Sequence, residues 1–266
     1  MAEMTTLDWV PWIAIGVMGL AFVGEAITSM VIRRDGHYEK KDTIVNLVIA
    51  GGYVGLSIVY AGILVLVLLP VWQLTPLRWS MDEWWHWVVL FVVNDFFFYW
   101  SHRASHVYRF MWASHWVHHN SPKLNLSTGM RNSWVGALFD WVFFVPVVAL
   151  GFHPLYLAVI IPAASGWDYM THTQYIGKLP VIDFIFNTPS NHRVHHATNA
   201  SYLDRNLGGM LIIWDRIFGT YAAETERPKI GATEMPVRPY NPVHLEFYLW
   251  GRLIRDAFRK RRTPML

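Results

Sequence analysis

Residues 44–69, IVNLVIAGGYVGLSIVYAGILVLVLL, carry no charged side chain, and Pro70 follows them as the expected end of a helix. At about 1.5 Å of rise per residue, a helix of that length exceeds the roughly 30 Å hydrocarbon core of a bilayer, so it spans with tilt. Four more apolar blocks surround it. Residues 9–32 contain Glu25 as their one charge, residues 84–100 are interrupted by Asp95, and residues 134–150 and 154–171 are joined at Gly151-Phe152-His153-Pro154 as a helical hairpin. The chain is 53% apolar and only 15% charged, too greasy for an ordinary soluble domain. It shows no internal repeat, no low-complexity tract and no linker long enough to divide it. The expected fold is an all-α integral membrane protein of one domain, 1–266, with four or five hydrophobic helices in two hairpins.

Basic residues set the orientation. None precedes Trp9, the loop 71–83 has only Arg78, and the other 21 of the 22 Lys and Arg fall on the opposite side if the blocks cross alternately. That side is placed in the cytosol, with the N-terminus outside. Trp72, Trp79, Trp84, Trp85 and Trp87 would form the outer aromatic belt, and Tyr99 and Trp100 part of the inner one. The start lacks a basic stretch before its apolar run, so a cleaved signal peptide is not expected. The pI near 9.1 then reports topology. No basic stretch resembles a groove reader, and nucleic acid is not expected as a partner. The expected location is a multi-pass position in a bacterial inner membrane or the endoplasmic reticulum. Residues 101–132 and 173–243 would form a cytosolic cap. Residues 244–262 read as an amphipathic helix on an anionic membrane surface, with Phe247, Trp250, Leu253, Ile254 and Phe258 set against Arg252, Arg255, Arg259 and Arg262.

Eight of the 13 histidines lie in three clusters: His102 and His106; His115, His118 and His119; His192, His195 and His196. On a helix, residues three and four apart share a face, so the first cluster gives a converging pair and each of the others a pair or a trio. Imidazole suits iron, zinc and copper, and the absence of cysteine excludes thiolate sites. A single tetrahedral ion needs at most four ligands, so eight imidazoles suggest two ions. Left without metal, grouped buried imidazoles would be costly. All three clusters fall on the cytosolic side, which a shared site requires. His172, at the cytosolic end of the last block, is a ninth candidate. Asp168, four residues earlier, is either a further ligand or an acceptor that orients an imidazole.

Asp95 shares a helix side with His102 but lies about 10 Å deeper. It calls for a partner such as a histidine N–H or an arginine. Glu25 and Asp140 are read as helix–helix contacts, and His37, His86, His153 and His244 as interfacial side chains. Arg131, Asn132, Asn187 and Asn206 are placed either to grip a lipid headgroup or to cap helices. No catalytic residue is expected beyond the metal ligands.

The stretches Asn94–His106 (NDFFFYWSHRASH), His115–Asn120 (HWVHHN) and Asn191–His196 (NHRVHH) resemble the three histidine boxes of the fatty acid hydroxylase/sterol desaturase superfamily. The flanking strings Asn125–Thr128, Thr171–Thr173, Asn187–Ser190 and Asn206–Tyr221 resemble its alkylglycerol monooxygenase branch and the bacterial relatives of that branch. The resemblance covers roughly residues 85–225. It implies a di-iron centre, with zinc substituting on isolation, that activates dioxygen to attack an unactivated C–H bond of a lipid, and a cytosolic cap over membrane helices. In that branch the chemistry is ether-lipid cleavage and the reductant is tetrahydrobiopterin. No pterin site is legible here, so the donor is either that pterin or a separate electron-transfer protein. The fatty acid hydroxylases have another histidine at the position of Asp168. A sterol- or carotenoid-type hydroxylase or desaturase would use the same boxes. A transition-metal transporter or sensor would instead hold its ligands near the midplane.

Overall fold

The computed structural model describes residues 10–260. Trp9, of the first apolar block, and Arg261 and Arg262, at the end of the basic tail, lie outside the described residues. The elements are α1 (Val10–Ile27), continued as π-helix over Thr28–Arg33, then α2 (Lys40–Leu74), α3 (Trp84–Val107), α4 (Arg109–His119), α5 (Leu126–Gly129) and α6 (Ala137–Ala149). They are followed by α7 (Pro154–Thr171), α8 (Ile182–Ile185), α9 (Pro189–His195), α10 (Ile213–Phe218) and α11 (Pro242–Lys260). The described residues form no strand. Two isolated bridges, Phe186 to Leu211 and Ala197 to Ile230, tie loops together.

Ile15–Arg33 is long and apolar enough to cross a membrane, and α2 qualifies as a second such element if its halves, bent by 43°, count as one span. The faces of α1 and α2 carry apolar side chains with no protein cover: Leu20 is 75% exposed, Ile32 72% and Leu66 77%. Contiguous apolar surface of this kind marks an interaction face.

Three boundaries depart from the sequence expectation. Pro70 does not end α2, which runs on to Leu74 with the proline inside it. The end of the helix is held from outside, by Trp72 Nε1 donating to the Gly151 carbonyl at 3.3 Å and Thr75 Oγ1 donating to the Ala149 carbonyl at 2.9 Å. The third block does not stop at Trp100, because α3 continues through His102 and His106 to Val107. The fourth starts late, at Ala137. Trp134 is instead fixed in the preceding turn, its backbone N–H on Glu246 Oε2 at 3.0 Å and its indole N–H on the Ile49 carbonyl at 2.9 Å.

The bundle has two ends. At one, Leu68, Leu90, Val147, Val148, Phe152 and Leu157 pack α2, α3, α6 and α7 together. Trp79 stacks on Phe152 there at 4.9 Å and donates to the Leu150 carbonyl. At the other, Val45, Ile49, Trp116, Val117 and Leu245 join α2, α4 and α11. The tail helix thus seats Leu245 and Leu249 on the protein, while Phe247, Ile254 and Phe258 stay exposed. Every histidine of the three clusters lies at this second end.

Candidate metal centre

Four helices deliver the nine imidazoles, and they sort into two groups. His102, His106, His115, His119 and His195 bring their ligand atoms within 4.8 Å of one another, and so do His118, His172, His192 and His196. The sorting follows helix geometry. Residues four apart, 102/106 on α3, 115/119 on α4 and 192/196 at α9, each serve one group. The residue three along, His118 or His195, is rotated by about 100° from its neighbour and crosses to the other group. The groups touch through His119 and His196, whose rings stack with centroids 4.4 Å apart.

Backbone carbonyls orient the rings. The Nδ1–H of His102 donates to the Leu207 carbonyl at 2.8 Å, that of His118 to Arg131 at 3.2 Å, that of His172 to Asp168 at 2.8 Å and that of His195 to Arg205 at 3.1 Å. A carbonyl only accepts, so each of these neutral rings leaves a bare lone pair on Nε2. Yet the Nε2 atoms of His118 and His172 are 3.1 Å apart. Two lone pairs at that distance repel unless a cation stands between them. Burial also disfavours a proton as that cation. It pushes His172 down to about 4, and burial together with His106 pushes His102 down to about 3. Burial and neighbouring imidazoles hold His115, His118, His119, His192, His195 and His196 well below the usual histidine range. The Nε2 atoms of His106 and His195 are buried with no hydrogen-bond partner. The donor set therefore fits metal ions.

Carboxylates and a glycine hold this arrangement. Asp95 accepts from the backbone N–H groups of Met210 and Leu211 and from Trp214 Nε1, not from a histidine or arginine. Asp215 accepts from the N–H groups of Leu207 and Gly208. Together they pin the loop whose Leu207 carbonyl aims His102. Gly129 lies against His172, and a Cβ there would meet the ring at 3.1 Å. Glu25 accepts from Tyr38, from the Leu126 N–H and from Thr173 Oγ1, so it ties α1 to the residue after His172. Asp168 lies in neither group of ligand atoms; its Oδ1 is 3.9 Å from His192 Nδ1, and its backbone carbonyl serves His172.

The four residues considered for a headgroup divide. Arg131 is 1% exposed and donates to the Val117 carbonyl, Asp42, Asn46 and Asn120. Asn187 donates to the Gly208 carbonyl, and Asn206 bridges the Asn191 and Ala222 carbonyls. Arg131 and Asn206 spend their polar groups on the protein's own hydrogen bonds, whereas Asn187 keeps a buried Oδ1 with no partner. Asn132 borders a cavity that also touches His115 and His118. The interfacial reading of His153 is refined to a helix cap, its Nδ1 accepting from the Leu155 N–H. Sequence reasoning missed Asp42, Asp204, Asp215 and Glu246. Only the Asp42/Asn46 spacing, a polar pair one turn apart at the start of an apolar helix, could have signalled one of them.

The fatty acid hydroxylase family matches residues 87–220, and the chain belongs to that family. It is 40% identical to human alkylglycerol monooxygenase over 177 residues, 66% of this chain and 39% of that protein. With the Xenopus tropicalis alkylglycerol monooxygenase the identity is 37% over 71% of this chain and 42% of the relative. With a Rhizobium tropici ornithine lipid hydroxylase it is 30% over 49% and 40%. The chain thus spans about two fifths of the length of these relatives. No solved structure matches it.

Proposed function

We propose that this chain is a multi-pass membrane di-iron monooxygenase that hydroxylates an unactivated C–H bond of a lipid. The observation that carries the reading is the partition of nine imidazoles into groups of five and four in a chain of this family. His102, His106, His115, His119 and His195 would hold one ion, and His118, His172, His192 and His196 the other. When bound, the iron pair supplies activation of dioxygen, which no side chain provides. One oxygen atom enters the C–H bond and the other leaves as water, with two electrons and two protons from a separate donor, a reduced pterin or an electron-transfer protein. The names of the relatives make alkylglycerol ethers the first substrates to test.

The chain's own residues have three tasks. The carbonyls of Leu207, Arg131, Asp168 and Arg205 keep Nδ1 protonated and Nε2 free. The networks of Asp42 with Arg131 and of Glu25 with Thr173 hold the ligand-bearing segments before metal arrives, which is the preorganisation such a site needs. The exposed faces of α1 and α2 keep the site beside the bilayer, with the histidine end on the cytosolic side. The test is metal analysis of protein purified without chelator, combined with oxygen-dependent turnover of a long-chain alkylglycerol ether. Close to two transition-metal ions per chain and an oxidised lipid product are expected. One ion or none in folded, active protein overturns the dimetal reading. Two ions with no oxygen consumption on any lipid overturns the oxygenase reading.

A further inference from the structure

Between α2, α3, α4 and α6 lies a cavity of about 100 Å³ that touches one imidazole from each group, His115 and His118. Its wall is unexpectedly polar for a space between apolar helices, with Tyr53, Ser114, Asn132 and Asp140 among its lining residues. Ser114 is 3% exposed, and its hydroxyl has no hydrogen-bond partner. Asp140 is the one charge of its apolar block and accepts a single long hydrogen bond, from Ser101 Oγ at 3.4 Å. Tyr53, from α2, lines the same cavity as Asp140.

A carboxylate among membrane helices is costly and normally has strong partners. Asp95 and Glu25 have three donors each. Asp140 has one weak donor, and the buried hydroxyl beside its cavity has none. The fold has left these groups for something that enters. The cavity is far smaller than the roughly 300–1,000 Å³ of a pocket that swallows a whole ligand. It admits a few heavy atoms and leaves a lipid chain outside.

We propose that this cavity is a hydroxyl-recognition subsite, in which Asp140 accepts a hydrogen bond from a free hydroxyl of the lipid and Ser114 completes its coordination. The subsite holds the polar end of the substrate at the edge shared by the two histidine groups while the chain stays among the exposed apolar faces. It selects lipids with a free hydroxyl close to the reacting segment over those in which that position is capped. The assignment rests on the oxygenase reading above, because that reading makes a lipid the occupant.

The test is equilibrium binding of a radiolabelled long-chain vicinal diol and its di-O-methyl ether to purified, metal-loaded protein in detergent micelles. A hydrogen bond to a charged acceptor is worth about tenfold to a hundredfold in affinity, so the wild type should prefer the diol by that factor. Asp140→Leu should abolish the preference, and the isosteric Asp140→Asn should reduce it severalfold, both at unchanged metal content. Ser114→Ala should weaken diol binding by a smaller factor. Equal binding of the two lipids by the wild type overturns the proposal, since the polar wall then holds only water. Persistence of the preference in Asp140→Leu overturns it too, because the methyl caps are then excluded by bulk alone. Asp140→Asn decides the question if the leucine variant does not fold. Turnover is measured separately: a preserved preference with no turnover would refute the oxygenase reading and leave the subsite standing.

Discussion

The five-histidine group and the four-histidine group are built differently. In the four-member group every ring is buried, and two layers of polar support stand behind it, Asp42 with Arg131 and Glu25 with Thr173. In the five-member group the His106 side chain is also covered, at 4% exposed, but His106, His119 and His195 line a cavity of about 250 Å³ that also reaches Arg109, Trp112 and Asp204. The carboxylate nearest this group, Asp204, is 70% exposed and accepts from His106 Nδ1 at 3.1 Å. One half of the centre is framed by polar networks, and the other lies beside a cavity. A chelator is expected to reach the five-member group first, through this cavity.

Removing a ligand from the four-member group should have the largest effect. His172→Ala leaves three imidazoles and opens a cavity beside Gly129, so the variant should lose about one ion and all detectable turnover. His153→Ala, at the opposite end of α7, should lose neither. Metal content and oxygen-dependent turnover at matched expression decide the matter, and equal activity of the two variants contradicts both the ligand list and the two-ended bundle.

Chelation should separate the halves by rate. Ion release from metal-loaded wild type should be biphasic, with the fast phase belonging to the five-member group. His106→Ala, which removes a ligand beside the open cavity, should lose the fast phase and keep the slow one. A single phase containing both ions would mean that the cavity beside His106 does not govern access.

How far the sequence revealed this difference depends on which atoms make it. Eight of the histidines were legible because imidazoles three and four apart on a helix share a face whatever the fold, and His172 because its block ends on the same side as the clusters. Their assignment to two groups was not legible. His118 and His195 turn about 100° away from His119 and His196 on their helices, but which group each joins depends on how the segments pack together. The acceptors on Nδ1 are backbone carbonyls of Leu207, Arg131, Asp168 and Arg205, and any residue type could supply them. Asp95 was expected beside an arginine or a histidine because a buried charge suggests a charged partner. It is satisfied by two amides and an indole, which sequence patterns do not advertise. Arg131 and Asn206 looked free because polar residues near a site read as contacts until their own hydrogen bonds are counted. The apolar blocks gave the helices themselves, but Pro70 and Trp134 misplaced their ends, since tertiary hydrogen bonds extend α2 and delay α6.

The two neighbouring carboxylates sharpen the contrast. Asp168 is 32% exposed and lies by the four-member group, 3.9 Å from His192 Nδ1, which has no other partner. Asp168→Asn should cost about 10–100-fold in turnover or metal affinity, the usual range for a residue that orients a ligand. Asp204→Asn should cost much less, because water replaces an acceptor that is already solvated. Parallel measurements of metal affinity test the pair. Loss of a full ion in Asp168→Asn would make it a ligand, and a larger loss in Asp204→Asn would reverse the ranking of the halves.

The smallest effect concerns the frame of the four-member group and its dependence on pH. Glu246, on α11, is wholly covered and accepts from Ser133 Oγ at 2.9 Å and the Trp134 N–H at 3.0 Å. It thereby fixes the segment whose Arg131 carbonyl orients His118. Burial raises its carboxyl to about 7, against the lowering influence of those two hydrogen bonds and of Arg131. Between the unfolded value of about 4.3 and 7, the folded protein keeps a proton that the unfolded chain has released. The contribution of Glu246 to stability is therefore complete below the unfolded value and is lost as pH rises through the folded one. Glu246→Gln keeps an acceptor for the Trp134 amide and never ionises. Its thermal midpoint should exceed that of the wild type by a few degrees at about pH 8, where the wild type buries a charge, and match it near about pH 5. The slow phase of chelation should lengthen in the variant at the higher pH, while the fast phase stays unchanged. A variant less stable than the wild type at the higher pH would show that the ionised carboxylate strengthens the frame, and that Arg131 rather than burial controls this corner of the site.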